Sequence, residues 1–312
     1  MAILVADVGG TNARLALVDK TGLVQNSVRR FANHNFKSFY HVVDEYLISV
    51  CARDIEACSV AVAGIVSAQR AKLTNINWEI SADGLKQTLS CDYTILMNDL
   101  TALGYSIDTL EGGDLTLISG SRTTTQNNGQ SLVIGIGTGF NVCPVKQLAD
   151  NRIMCMEAEY GHTKMPECIL GASIFSQKNC KQWPNTVEDL LSGRGFSKLH
   201  SLHTQKTPLL ASEIIEGCAS GTDQFAEAAL SDFARLLGLL TNQLVLKYLP
   251  MGGIYFSGSV ARAVLGSSFA SEFCMAFMSS CTFNTELQNI PVSIINDDFA
   301  PLKGCQVAIG AR

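Results

Sequence analysis

The chain has 312 residues, 47% of them hydrophobic and 16% charged, with a net charge of −5. That composition excludes a disordered or collagen-like chain and supplies enough apolar surface for one large domain or two modest ones. With no basic surplus, neither nucleic acid nor an anionic membrane is expected as a partner, and no apolar run reaches the roughly 20 residues that span a bilayer. The opening Met1-Ala2-Ile3 lacks the charged flank of a secretory leader. Eleven cysteines, an odd number with no C-x-x-C pair, read as reduced, mostly buried thiols of a cytoplasmic protein.

In chain order, Ile3–Val8 is a short apolar run stopped by Gly9-Gly10, and Ala13–Val18 alternates apolar residues as a second strand. A third strand is expected over Leu23–Phe31, giving an antiparallel meander. Phe39, Val42, Val43, Leu47 and Ile48 recur at spacings of three and four, the mark of a helix with one buried face. Ser59–Ala63 reads as a buried strand, Ser81 as the cap of a helix over the next eight residues, and Tyr93–Met97 as a further strand. The order over the first hundred residues is therefore β-β-β-α-β-α-β.

The middle of the chain repeats the opening theme. Ser131–Ile136 is a strand ending in Gly137-Thr138-Gly139, and Phe140–Val145 resumes as a strand. Residues 222 to 249 carry Phe225, Ala229, Phe233, Leu237, Leu240 and Leu244 on one helical stripe. Gly252-Gly253 opens another strand, residues 291–295 form the last, and Ala300–Gly310 reads as a closing helix. Two strand–turn–strand units, near residues 2 and 131, suggest two similar α/β halves with a cleft between them.

The turns are where chemistry is expected. In Asp7-Val8-Gly9-Gly10-Thr11-Asn12 the glycines let backbone N–H groups approach an anion, and Thr11 adds a hydroxyl. Asp7, at a strand end, is a hard oxygen ligand suited to a hydrated Mg²⁺. Alone this is an ordinary hairpin; a second glycine–threonine turn, Gly137-Thr138-Gly139, makes a two-sided grip on a polyphosphate the better reading. Neither turn is a P-loop or a dinucleotide fingerprint. Asp99 follows an apolar strand, where it can cap a helix, act as a base, or do both. His162 alone would read as a packed core histidine and Glu188 alone as a surface charge. Glu159, three residues before His162, favours a pair that binds polar ligand groups. Arg14 reads as a solvated strand residue.

The ordered set of these segments resembles the bacterial glucokinase family of the hexokinase/actin-like ATPase superfamily, over almost the full length. Asp7–Asn12 is similar to the first phosphate loop, Leu73-Thr74-Asn75-Ile76-Asn77-Trp78 to a sugar-side segment, and Met97-Asn98-Asp99-Leu100-Thr101-Ala102 to the segment holding the catalytic acid. Gly137-Thr138-Gly139 resembles the second phosphate loop, and Glu159-Tyr160-Gly161-His162 a sugar segment. Glu188–Gly193 resembles a further sugar segment, and Gly252–Gly258 the adenosine-side motif. The resemblance implies two ribonuclease H-like (actin-like ATPase) α/β domains facing a cleft. It implies ATP-dependent phosphorylation of the glucose 6-hydroxyl, with Mg²⁺ held mainly through the nucleotide.

By the same resemblance Asp99 is the catalytic residue, and Asn75, Asn98, Asp99, Glu159, His162 and Glu188 bind the sugar. Asp7, Gly9, Gly10, Thr11, Asn12, Gly137, Thr138, Gly139, Gly253 and Gly258 hold the nucleotide. A homodimer is implied too. Expected boundaries are residues 1–107 for a small domain, 108–297 for a large one, and 298–312 for a helix returning to the first. The chain departs from the family pattern at Ala63-Gly64-Ile65, at Phe140-Asn141 and at Ser259. At Asn141 a left-handed turn conformation is expected, which Asn tolerates. Thr163–Leu170 holds only Cys168, so no zinc cluster is expected. Two alternatives stay open: a kinase for another hexose or amino sugar, and a sugar-binding regulator without kinase activity.

Overall fold

A computed structural model describes residues 2–73, 76–121, 127–171, 183–279 and 289–310. The chain divides into two units: Met1–Leu110 with Ala149–Cys155 and Asp297–Arg312, and Glu111–Leu148 with Met156–Asn296. Both are α/β.

In the first unit the opening strand, Ala2–Val8, pairs antiparallel with Asn12–Asp19 and parallel with Ile55–Val62. Ile55–Val62 in turn pairs parallel with Tyr93–Asn98. Register sets Val8 beside Val62 and Val62 beside Asn98, so three parallel strands end level with one another. Their runs are nearly all apolar because both faces are covered. On one face lie Phe39, Val42, Val43 and Tyr46 of helix Phe39–Ser49, all wholly buried, with Leu85 of helix Ala82–Leu89. On the other lie helix Asp99–Ser106 and the last helix, Ala300–Gly310, whose Leu302 and Cys305 pack on Val5 and Ala16. These two helices touch so closely that a side chain at Gly304 would run into the Ala102 carbonyl.

The single strand expected over Leu23–Phe31 is two short ones, Gly22–Leu23 and Arg29–Ala32, both paired with the second strand. Between them Ser27 accepts from the Leu17 N–H at 2.8 Å and donates to the Val24 carbonyl at 2.6 Å, which winds residues 25–27 into a 3-10 turn. A hairpin joining Gly64–Ser67 to Arg70–Leu73 carries no sequence signal. Its turn residues, Ala68 and Gln69, both have positive φ (48° and 60°) without the Asn or Gly that usually marks such a turn.

In the second unit the strand order is Leu115–Ser119, Val292–Ile295, Gly253–Ser257, Gln130–Ile136, Phe140–Gln147. The inner pairs are parallel and the outer pairs antiparallel. The long helix is Ala226–Tyr248, and Ala229, Phe233, Leu237, Leu240 and Leu244 of its stripe are wholly buried. It starts later than the apolar pattern because the Thr222 and Asp223 amides bond the Gly217 carbonyl, closing the preceding helix Ala211–Ser220. The Asp223 carboxylate then accepts from the Phe225 N–H at 2.9 Å. Leu249, at φ 43°, ends it just before Pro250.

Candidate functional site

In the first unit the candidate residues gather at the level ends of the three parallel strands, where ligands bind in open α/β sheets. Asp7 is next to last in its strand, and Gly9–Thr11 forms the turn, closed by the Gly9 N–H on the Asn12 carbonyl at 2.9 Å. Asn33 braces this turn from behind. Its amide nitrogen donates to the Gly9 carbonyl at 2.8 Å and its backbone N–H to the Thr11 carbonyl at 2.9 Å. Asn33 is buried while Thr11 is exposed at the tip. Two strands away, Asn98 caps helix Asp99–Ser106 by accepting from the Leu100 N–H at 2.9 Å, and its amide donates to the Gly64 carbonyl at 3.1 Å. Asp99 is the first residue of that helix, and its Oδ1 also accepts from the Leu100 N–H at 2.9 Å. The cap of that helix is therefore Asn98 and not Asp99, which stands at the first helical position just after the strand.

Electrostatics sets Asp99 apart. Burial, joined by the charge of nearby Asp7, pushes its carboxyl up from 3.8 to about 6, against the lowering effect of the Leu100 hydrogen bond. Burial also raises Asp7, partly offset by Arg14, whose guanidinium lies 3.5 Å from its Oδ2. Arg14 is therefore not a solvated strand residue. It faces Asp7 across the register pair and also donates to the Asp298 carbonyl at 3.2 Å. Trp78 is buried, and Asn75 lies outside the described residues.

In the second unit four separate segments converge. Gly137-Thr138-Gly139 links two antiparallel strands, with the Gly137 N–H on the Gly139 carbonyl at 3.0 Å and Thr138 exposed. The Gly193 N–H bonds the Gly137 carbonyl at 2.7 Å, tying the turn to the start of helix Gly193–Thr204. Glu188, in the short helix Val187–Leu190, accepts from the Phe140 N–H on Oε2 at 3.1 Å and holds Arg194 on Oε1 at 2.6 Å. The turn Tyr160–His162 packs against both: a side chain at Gly161 would meet the Phe140 carbonyl and the Glu188 Cβ. Glu159 and His162 stand out from this base with exposed side chains, 4.0 Å apart. Gly258, at φ 101°, lies against the Ile136 carbonyl, where a side chain would collide, so the 253–258 segment abuts the same turn. Gly253, at φ 128°, packs its backbone against the Tyr255 ring.

Asn141 does not adopt the left-handed conformation expected of it. It is an ordinary strand residue opposite Gly135, and its side chain reaches the 158–160 segment instead. Ser259 is an exposed first residue of helix Ser259–Leu265.

A family model described as Glucokinase matches residues 4–311. The chain belongs to the glucokinase family. A glucokinase of Psychromonas ingrahamii is 30% identical over 308 residues, spanning 96% of this chain and 94% of that one. The crystal structure of a glucokinase from an Antarctic psychrotroph superposes with a TM-score of 0.85 at 25% identity, covering 100% of this chain and 99% of that one. A ROK family glucokinase from Streptomyces griseus, solved with glucose and AMPPNP, shares the fold at TM-score 0.64 and 17% identity, over 98% of each chain. The fold is thus that of the actin-like ATPase sugar kinases.

Three residues of these two clusters escape a reading along the sequence: Asn33, Asn141 and Arg194. Asn33 and Asn141 act on backbone groups distant in sequence and Arg194 on a carboxylate six residues before it, and none stands in a pattern that announces it. Arg194, second in its helix after the Ser192 cap, offers only a charge on an exposed face as signal.

Proposed function

We propose that the protein is an ATP-dependent glucokinase, transferring the γ-phosphoryl group of ATP to the 6-hydroxyl of glucose to give glucose 6-phosphate and ADP. The observation that carries this reading is Asp99. It is a carboxylate beside the sugar-type amide of Asn98, held on a helix end and raised to about 6, within range of a base at neutral pH. Phosphoryl transfer asks little covalent chemistry of a protein; it asks for positioning and for charge to be met where it develops.

Each residue then has a defined task. Asp99, ionised above about pH 6, accepts the proton of the 6-hydroxyl as the oxygen attacks phosphorus. Asn98 orients the same end of the sugar. Glu159 and His162, exposed and adjacent, offer an acceptor and a donor to hydroxyls nearer the anomeric carbon, and Glu188 adds a further acceptor. The turns at Gly9–Asn12 and Gly137–Gly139 present backbone N–H groups and threonine hydroxyls to the phosphates, and the segment from Gly253 to Gly258, whose last glycine packs against the strand leading into the second turn, takes the adenosine side.

The oxygen chemistry at Asp7 fits a divalent cation: a buried carboxylate, raised in pKa and close enough to a second one for their charges to repel, is relieved by a hard positive ion. Mg²⁺, when bound with ATP, supplies charge neutralisation to the phosphates, and Asp7 is the residue that would hold it through its waters.

The test is a substrate panel. ATP-dependent ADP release with glucose, mannose, fructose and glucosamine should be fastest with glucose. Preference for another sugar would reassign the substrate, and glucose binding without ATP binding would make the chain a regulator.

A further inference from the structure

Asn141 spends three of its four hydrogen-bonding positions on the segment that carries Glu159. A primary amide has two donor hydrogens and two acceptor lone pairs. Nδ2 donates to the Ala158 carbonyl at 2.5 Å and lies 3.4 Å from Glu159 Oε2. Oδ1 accepts from the Tyr160 N–H at 2.9 Å and from the Val142 N–H at 2.8 Å. All four positions are occupied, and the orientation is fixed: a flipped amide would point its NH₂ at two N–H donors. The residue sits in strand Phe140–Gln147, directly after Gly137-Thr138-Gly139, so one side chain ties the strand leaving that turn to the backbone on both sides of Glu159. Only one bond reaches Glu159 itself, and it meets one carboxylate oxygen. Glu159, with a 63% exposed side chain, has little else to restrain it, His162 being 4.0 Å away.

We infer that Asn141 is a positioning residue for the sugar: it holds the Glu159 carboxylate in the rotamer that receives a sugar hydroxyl and thereby sets sugar affinity and selectivity near the anomeric end. This rests on the proposed sugar role of Glu159. Ordering a long, exposed carboxylate before the ligand arrives removes part of the conformational cost of binding it. A residue that favours the bound ground state and the transition state alike raises KM when it is lost and leaves kcat alone. The phosphate turn is held separately, by Glu188 and Gly193, so ATP binding should not follow Asn141.

The experiment uses the full chain with Asn141→Ala and Asn141→Asp. Asn141→Asp keeps the shape and the acceptor for Tyr160 and Val142 but replaces both donors. Initial rates are measured with glucose, 2-deoxyglucose and 1,5-anhydroglucitol, varying sugar and ATP in turn. Loss of a hydrogen bond to a charged acceptor predicts a glucose KM raised about tenfold or more, kcat within about threefold and ATP KM within about twofold. The penalty should shrink for the analogue lacking the hydroxyl that Glu159 holds.

If Asn141→Ala melts before assay, the aspartate variant alone carries the test. A glucose KM within about twofold of the parent in a folded variant would overturn the inference, as would an equal penalty on all three sugars or an equal rise in ATP KM. Should the parent turn over no sugar, the glucokinase reading fails on its own. The dissociation constants of the same three sugars, by calorimetry, then decide the role of Asn141 by the same criteria.

Discussion

Asp99→Asn separates chemistry from stability within one side chain. The substitution keeps a carbonyl oxygen able to accept the Leu100 N–H bond that Oδ1 now accepts at 2.9 Å, so the start of the helix should survive. It removes the base and the charge. Losing a positioned base typically costs about 10²- to 10⁴-fold, so kcat should fall by at least about a hundredfold while the glucose dissociation constant changes little. The structure also predicts a gain. A carboxyl at 3.8 when unfolded and about 6 when folded binds more protons in the native state between those values, so its contribution to stability declines as pH rises through that window. Above it the ionised group destabilises the fold by roughly 3 kcal/mol, at about 1.4 kcal/mol for each tenfold change in proton affinity, and below 3.8 the penalty is gone.

Asp99→Asn removes that penalty, so at pH 8 the variant should melt higher than the parent, and the difference should vanish toward pH 4. The assays are coupled ADP release and thermal melts across pH. In the parent, kcat/KM should rise through an apparent pKa near 6, since the ionised form is the active one. Turnover within about threefold of the parent would remove Asp99 from catalysis, and a lower melting point at pH 8 would refute the electrostatic reasoning.

Three further outcomes follow from the packing. Thr138→Val should raise the ATP KM about tenfold through a lost hydroxyl donor while leaving the melting temperature unchanged, because Thr138 is exposed; an unchanged ATP KM contradicts its phosphate role. Gly161→Ala should destabilise by about 1–3 kcal/mol and raise the glucose KM, since the added methyl meets the Phe140 carbonyl and the base under Glu159 and His162 must shift; denaturant melts and sugar titration check it. Gly304→Ala should destabilise by a similar amount, about 1–3 kcal/mol, by forcing the last helix off the Ala102 carbonyl, and an unchanged midpoint in denaturant would contradict that contact.

The fold was legible wherever signals are local. The glycine turns after Val8 and Ile136, the apolar strands before them, and the buried stripe of the long helix all follow from runs and periodicity within a few residues. The broken third strand was not, because a single hydroxyl, Ser27, diverts the backbone by bonding across to Leu17. Nor was the hairpin at Ala68-Gln69, where tertiary context holds two ordinary residues at positive φ. The same division runs through the candidate site. Asp7, Asp99 and the two glycine–threonine turns stand in recognisable surroundings. Asn33 and Asn141 work through bonds to segments 24 and about 19 residues away, which no pattern along the chain reveals. Arg14 alternates outward like any exposed strand residue, and only the cross-strand register shows that it faces Asp7.

The most direct test of the account is ATP-dependent phosphorylation of glucose by the purified chain with Mg²⁺, followed by ADP release and by identification of the sugar product. Glucose 6-phosphate formed in a one-to-one ratio with ADP is the predicted result. ADP released without a phosphorylated sugar, or a phosphate carried on any hydroxyl other than that at carbon six, would contradict it.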